Sequence, residues 1–518
     1  MRVRTLDEAL KSRILELWQD TLERLRACRD FDAMLGVIAS SDAFRGFWVG
    51  PQRGPFLLPA FRLVQGALAF GHVTQGLAAA ARRGRAPGEA AVTLTDGVAF
   101  RCPVGLPPVA DEGQLREVLQ YGTVFLNTAS LHWAQLARIC LSASRALCFP
   151  TNINVYVTGH NRSVSTDVHT DNHDVFILQT EGAKHWRVYP PPRRRRGAAH
   201  PLYRGKGEDR LEPEELAQPL VDVVLREGEV LFIPMGFPHS TGTAGTGESG
   251  PSVHLTLGIS AADCGLSLGA LRRTLPPGLG GEAEEEEEEI LSDEAYWRLW
   301  SPLPVGCLVV RAARGEGLAA EAAFLRHAAA ELRATLVGGP GAGAQTLQDG
   351  PELQRMLEEA VAAHAGQHLA ILAAQDEAYR EVAAAADGFF CVSGPDECTS
   401  EYRRSMLAHQ ACQAAEKRRR PDPRDPRFVR RLDPADGASR TQSELREHLL
   451  RQQGLGADAA DEYWRSCCQP LFPNDEPPTE LMDELEGAAL DCEALIRFLR
   501  KRTPHLRAEE QDTWERVD

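Results

Sequence analysis

The sequence predicts an α+β chain in which a core of short strands lies between a helix-rich N-terminal segment and a mainly helical C-terminal region. Two observations carry this reading. From about Thr95 to Ser260, runs such as AVTLTDGVAF, NINVYVTG, DVFILQTEG, HWRVYP, VDVVLREGEVLFIP and SVHLTLGIS follow one another between Gly and Pro turns. Many short strands with such punctuation suggest a sandwich or barrel. On either side the period changes. Residues up to about 95 read as helices around a loop-rich stretch, WVGPQRGPFLLP. From about Ser292 the chain is rich in Ala, Leu and Glu, and DGPELQRMLEEAVAAHAGQHLAILAAQDEAYREVAAAADG has a long helical period.

The segments expected are a helix-rich 1–95, a strand-built 96–262, a linker with a Glu run and a helical region at 263–390, and a helical 391–518. A chain of 518 residues is too long for one core. No run of about twenty apolar residues occurs, so no membrane span is expected. The charged, amphipathic N-terminus has no signal-peptide block, so secretion is not expected. The twelve cysteines are scattered, with Cys467 and Cys468 adjacent and no CxxC pair, as in a reducing compartment. A formal net charge of −16 argues against direct nucleic-acid binding and suits a basic protein partner. Two basic clusters, Arg193 to Arg196 and Lys417 to Arg420, oppose that trend; the second reads as a nuclear-import signal or an ordinary basic loop.

The chemistry is concentrated in VSTDVHTDNHDVFILQTEGAKHWRVYPPP and, downstream, GEVLFIPMGFPHS. Together they supply His169, Asp171 and His239, two imidazoles and one carboxylate. Such a facial set suits Fe(II) and leaves open positions for an oxidisable cosubstrate and O₂, which points to an oxygenase. On a strand, residues two apart share a face, so His169 and Asp171 are expected side by side, with His239 entering from another strand. The plainer reading is a surface histidine beside an aspartate in an unrelated β domain. His173 has the same parity, but a fourth protein ligand would block an open position. It is read as a neighbour of the site or as satisfied by local hydrogen bonds. His254 reads as a core or pocket-wall histidine. His364 and His368 have a metal-binding spacing but no third ligand nearby, so a helix face is the better reading.

The stretch from about Asn154 to Ser260 resembles the JmjC domains of the cupin-like ribosomal oxygenases, close to the bifunctional histidyl-hydroxylase and lysine-demethylase proteins. The motifs in order are NVYVTG, HTDNHDVFILQTEGAKHWRVY, GEVLFIPMGFPHST and SVHLTLGIS, with weaker likeness upstream in FWVGPQRGPFLL. The resemblance implies a double-stranded β-helix (jelly-roll, cupin) for 96–262, with Fe(II) and 2-oxoglutarate as cofactors. His169, Asp171 and His239 match the iron ligands. Lys184 matches the base that pairs with the distal carboxylate, and Asn154 and Tyr156 match residues lining the cosubstrate pocket. Without the resemblance, Lys184 would read as an exposed turn lysine and Tyr156 as a core aromatic.

The sequence departs from the family pattern in four places. One extra residue lies between Asn154 and His169. Gly258 stands where relatives often carry Ser. Thr170 and Asn172-His173 replace the commoner Tyr and acidic residues. These changes bear on the substrate more than on the iron. The implied activity is a protein hydroxylase acting on a histidyl or arginyl side chain of a ribosomal protein, in the nucleus, nucleolus or cytoplasm. The alternatives are a JmjC histone lysine demethylase and a catalytically silent scaffold that binds a basic protein. Relatives also imply a homodimer through helices, here Ser292 to Asp387, and a winged-helix-like module within 391–518.

Overall fold

The computed structural model describes residues 19–82 with short gaps, 90–94, 102–192, 204, 211, 213–260, 368–385, 398–404, 406 and 492–493. The Glu run, both basic clusters, His364 and most of 263–518 lie outside the described residues.

Among the described residues, twelve strands form two antiparallel sheets. The larger has the order β1 (Phe56–Leu58), β10 (Val230–Ile233), β7 (Asp174–Glu181), β12 (Ser252–Ile259), β5 (Thr151–Thr158), β4 (Gly122–Leu126), β2 (Ala90–Leu94) and β3 (Cys102–Gly105). The smaller runs β6 (Thr166–His169), β11 (His239–Gly242), β8 (Ala183–Val188) and β9 (Val221–Arg226). The chain crosses between the sheets repeatedly, as in the expected double-stranded β-helix. The helices are α1 (Phe31–Ser40), α2 (Phe70–Arg82), α3 (Glu112–Leu119) and α4 (Ala134–Leu147). Asp30 and Asp111 start α1 and α3 by accepting from Ala33 N at 2.8 Å and Gln114 N at 2.9 Å.

Alternation along the strands divides side chains between two cores. On β7, Phe176 and Leu178 enter the large core beneath the sheet, whereas Val175 and Ile177 face the smaller sheet. On β10, Val230 and Phe232 take the first side, and Leu231 and Ile233 the second. These runs are apolar throughout because both faces are covered. On β5 the pattern is stricter. Ile153, Val155 and Val157 are fully buried in the large core, and Asn152, Asn154 and Tyr156 are half-buried on the barrel side. The tight β7–β8 connection turns on Gly182, at φ 66°, where an added Cβ would sit 2.7 Å from Pro251 O.

The division expected at residues 95 and 96 falls between β2 and β3, which pair with each other. Upstream residues belong to the same body. β1 pairs with β10, and Phe44, Phe56, Phe176 and Phe232 form one aromatic cluster with centroids 4.9–6.3 Å apart. The loop-rich reading of WVGPQRGPFLLP therefore missed β1, whose three residues are too few to show a period.

Downstream, residues 368–383 are helical and pack on α4 and the start of β5. Tyr379 Oη donates to Thr151 O at 2.5 Å, Gln375 Oε1 accepts from Thr151 N at 2.8 Å, and Ser144 Oγ lies 3.1 Å from Asp376 Oδ1. This part of the region expected to dimerise thus packs against its own chain. His368 belongs to that packing: its Nε2 bonds Cys148 O at 2.8 Å, and its ring meets Phe149 edge-on.

Candidate metal and cosubstrate site

The smaller sheet sets the two histidines opposite each other. His169, the last residue of β6, is the register partner of His239, the first of β11. Directly opposed antiparallel side chains lie on one face, and the rings are 4.4 Å apart. Asp171 arrives differently from the sequence expectation. β6 ends at His169 and β7 begins at Asp174, so Asp171 stands on the intervening bend and not on a continuing strand. Two ties hold this bend. Gly236 N donates to Asp171 O at 3.2 Å. Thr170 N donates to Arg204 O at 2.9 Å, and Arg204 N returns a bond to Thr170 Oγ1 at 2.6 Å.

The result is a compact donor set. One ligand atom from each of His169, Asp171 and His239 lies within 4.8 Å of the others. His169 Nε2 is 3.8 Å from Asp171 Oδ1, and His239 Nε2 is 3.5 Å from Asp171 Oδ2. Donors about 2.1 Å from a shared ion and at right angles would be roughly 3 Å apart, so small shifts accommodate a divalent cation. His239 Nδ1 donates to Phe237 O at 3.1 Å, which leaves the Nε2 lone pair toward Asp171.

His173, despite its sequence parity, is separate from this set. Its Nδ1 is 2.8 Å from Asn172 Oδ1, and its ring leans over Gly258, where an added Cβ would lie 2.8 Å from His173 Cδ2 and 2.4 Å from Asn152 Oδ1. Asp174 is also no ligand. It accepts from Trp48 Nε1 and Met235 N, both at 2.7 Å, and pairs with Arg53 at 3.3 Å.

Lys184 lies on β8, beside the end of β5. It is fully buried, and its Nζ donates to Thr158 Oγ1 at 2.9 Å. Among the described residues no carboxylate forms an ion pair with it. Burial alone pushes its pKa from 10.5 down to about 7. An enclosed ammonium with no counter-ion is costly, and an anionic ligand would remove that cost. Arg187, the other candidate base in this run, points to the opposite face and lies 3.7 Å from Asp222, a partner it shares with His185.

Asn154 and Tyr156 line the barrel between these centres. Asn154 Oδ1 accepts from Thr128 N at 2.8 Å, leaving its amide hydrogens to donate. Tyr156 stacks on His254 at 4.9 Å and 2°. Sequence reasoning missed Thr158 as the partner of Lys184. Its parity with Asn154 and Tyr156 was the available signal.

With this geometry in view, comparison with known proteins is direct. Residues 128–264 match the family model of the JmjC domain. This part of the chain is similar to JmjC domains. Over 130 residues it is 32% identical to the "Bifunctional lysine-specific demethylase and histidyl-hydroxylase NO66" of Drosophila mojavensis, covering 25% of this chain and 14% of that protein. The Aedes aegypti protein of the same name is 34% identical over 134 residues, covering 26% and 19%. The match thus spans less than a fifth of either relative. Among solved structures, Escherichia coli YcfD, described as a ribosomal oxygenase in complex with cobalt and 2-oxoglutarate, covers 54% of this chain and 68% of its own. Its identity is 14% and its TM-score 0.29.

Proposed function

We propose that the protein is an Fe(II)- and 2-oxoglutarate-dependent oxygenase that hydroxylates a side chain of a basic protein, such as a ribosomal protein. The observation that carries this reading is the pairing of two features in one barrel: a His-Asp-His donor set within 4.8 Å and a buried, uncompensated Lys184. A metal alone would not need Lys184, and a simple anion-binding cupin would not need the donor set. When bound, iron and 2-oxoglutarate supply the oxidising power for C–H hydroxylation, with succinate and CO₂ as co-products.

The chain's own residues do the rest. His169, Asp171 and His239 would hold the metal, and three protein ligands would leave positions for the cosubstrate and O₂. Lys184, steadied by Thr158, pairs with the distal carboxylate and orients the cosubstrate along the barrel. Asn154 donates from its amide, and Tyr156 forms a wall. The apolar cluster of Val175, Ile177, Trp186, Val188, Leu231 and Ile233 keeps water from the other side. The net charge of −16 favours approach of a cationic protein. Free cysteines and the absence of any helix long and apolar enough to cross a membrane, both among the described residues, accord with a nuclear, nucleolar or cytoplasmic site of action.

Anaerobic addition of 2-oxoglutarate to the Fe(II)-loaded protein should give a weak visible charge-transfer band. Succinate should then form with a ribosomal-protein peptide in air. His169→Ala and Asp171→Ala should lose both signals; wild-type-like turnover in either variant sinks the reading. Mass spectrometry of the product separates the demethylase alternative, because hydroxylation retains an oxygen and demethylation removes a methyl group. A silent scaffold would give neither band nor succinate.

A further inference from the structure

We propose that His254 is a further residue of the cosubstrate site, where its neutral imidazole donates a hydrogen bond to the dicarboxylate alongside Lys184 and Thr158. The inference rests on the oxygenase reading and deepens it. β12 lies between β5 and β7, with Ser252, His254 and Thr256 paired in register to Thr158, Tyr156 and Asn154. Alternate residues Val253, Leu255, Leu257 and Ile259 fill the large core, so the even-numbered set faces the barrel. His254 is therefore on the same wall as the residues that match the cosubstrate pocket.

Its surroundings place it between the two functional centres. The ring is 2% exposed, stacked on Tyr156 and met edge-on by Trp186 at 5.3 Å and 81°. Burial, Lys184 and His239 together hold its pKa well below the ordinary histidine value. Trp186 shares the barrel face of β8 with Lys184 and meets the rings of both His254 and His239, at 5.3 and 6.1 Å, so a molecule bridging Lys184 and the donor set passes beside His254. A hydrophobic ring would fill the gap between Tyr156 and Trp186 equally well. A histidine there brings polar atoms whose desolvation costs stability unless they are used.

The ring's two nitrogens are not equivalent. Nδ1 is sealed in the interior with no hydrogen-bond partner. A sealed lone pair is less costly than a sealed N–H, so the single proton of the neutral ring belongs on Nε2. That nitrogen is left to meet a ligand, and a carboxylate oxygen is its natural acceptor. A second full cation beside Lys184 would repel it; a neutral donor adds a bond without that repulsion.

The test is the affinity of the full chain for 2-oxoglutarate in the presence of Mn(II), measured calorimetrically in wild type and in His254→Gln, His254→Asn and His254→Phe. A glutamine amide reaches where Nε2 sits, and an asparagine amide reaches only the Nδ1 position. The expected order is wild type and Gln within a few-fold of each other, with Asn and Phe weaker by about 10-fold or more, as for a hydrogen bond to a charged group. Mn(II) affinity should be unchanged in all four. Asn or Phe binding like wild type, or Gln as weak as Asn, overturns the proposal. If Phe fails to fold, the Gln–Asn pair decides. Failure of the wild type to bind 2-oxoglutarate at all is a separate outcome, and it refutes the oxygenase reading on which the proposal rests.

Discussion

Lys184 should make 2-oxoglutarate binding pH-dependent in a range where ordinary lysines do not titrate. In the free protein, burial lowers its pKa to about 7, and only the protonated form can pair with a carboxylate. The apparent Kd is then the intrinsic value multiplied by 1 + 10^(pH − 7). This factor is ~1.3 at pH 6.5 and ~33 at pH 8.5, so affinity should fall about 25-fold across that interval. The sign follows from the direction of the shift: below pH 7 the ammonium is present before the ligand arrives, and above pH 7 a proton must be taken up on binding. Calorimetry with Mn(II)-loaded protein in buffers of different ionisation enthalpy measures both the fall in affinity and the uptake of protons. Lys184→Arg keeps its charge throughout and should flatten the profile. A flat wild-type profile with no proton uptake at pH 8 would refute the view that Lys184 waits without a counter-ion.

Other consequences are open to direct measurement. Lys184→Met removes a buried charge whose folded pKa lies below its unfolded value of 10.5. The charge destabilises the native state fully below pH 7, and this is relieved as pH rises toward 10.5. Met should therefore raise the Tm at pH 6.5, by an amount equivalent to roughly 3–5 kcal/mol, while abolishing the shift that 2-oxoglutarate induces; a lower Tm would show that Lys184 is already compensated. Gly258→Ser places a Cβ 2.4 Å from Asn152 Oδ1 and should cost about 1–3 kcal/mol, as overpacking does. Asn152→Ala should recover much of that loss, and additive effects in denaturant titrations would contradict the contact. Tyr379→Phe removes the bond to Thr151 O and should cost about 1–3 kcal/mol in one cooperative transition. A separate early transition would instead mean that residues 368–383 are not an integral part of the same body.

Much of the site was legible because strand alternation writes function into parity. Asn154, Tyr156 and Lys184 came from the family pattern alone, since without it Lys184 reads as an exposed turn lysine and Tyr156 as a core aromatic, whereas the strands of β5, β7, β8 and β12 followed from their runs. Asp171 was reached through the wrong geometry. The sequence showed a continuous strand, but at the end of β6 Thr170 donates its N–H to Arg204 O and accepts from Arg204 N at its Oγ1, and a residue 34 positions away is one that no local pattern can reveal. Thr158 was missed although it shares the parity of Asn154 and Tyr156, because a threonine at the end of an apolar strand looks like core. His254 reads from sequence as a core or pocket-wall histidine, and only the partner strand shows which face it takes. β1 was missed because its pairing with β10 is wholly tertiary.

On the proposed reading, the cosubstrate's distal carboxylate and the protein target meet opposite ends of the barrel. At one end Lys184, Thr158 and His254 are buried, and strand register fixes each of the three. A ligand bound there must match a defined charge and length, which is what a small dicarboxylate offers. At the other end of β5, Asn152 is half-buried beside Gly258 and His173, and His173 stands on a bend, outside any strand. Asp171 shares this bend and is held there by the bonds from Gly236 and between Thr170 and Arg204, so the rim can change without disturbing the donor set only where those bonds are kept. The departures at Gly258 and at Asn172-His173 fall on this end, while His169, Asp171, His239 and Lys184 are intact. The expected consequence is retained cosubstrate chemistry with an altered protein target. Coupled turnover on one relative's substrate peptide is therefore a weaker test of the oxygenase reading than the charge-transfer band, which needs no peptide.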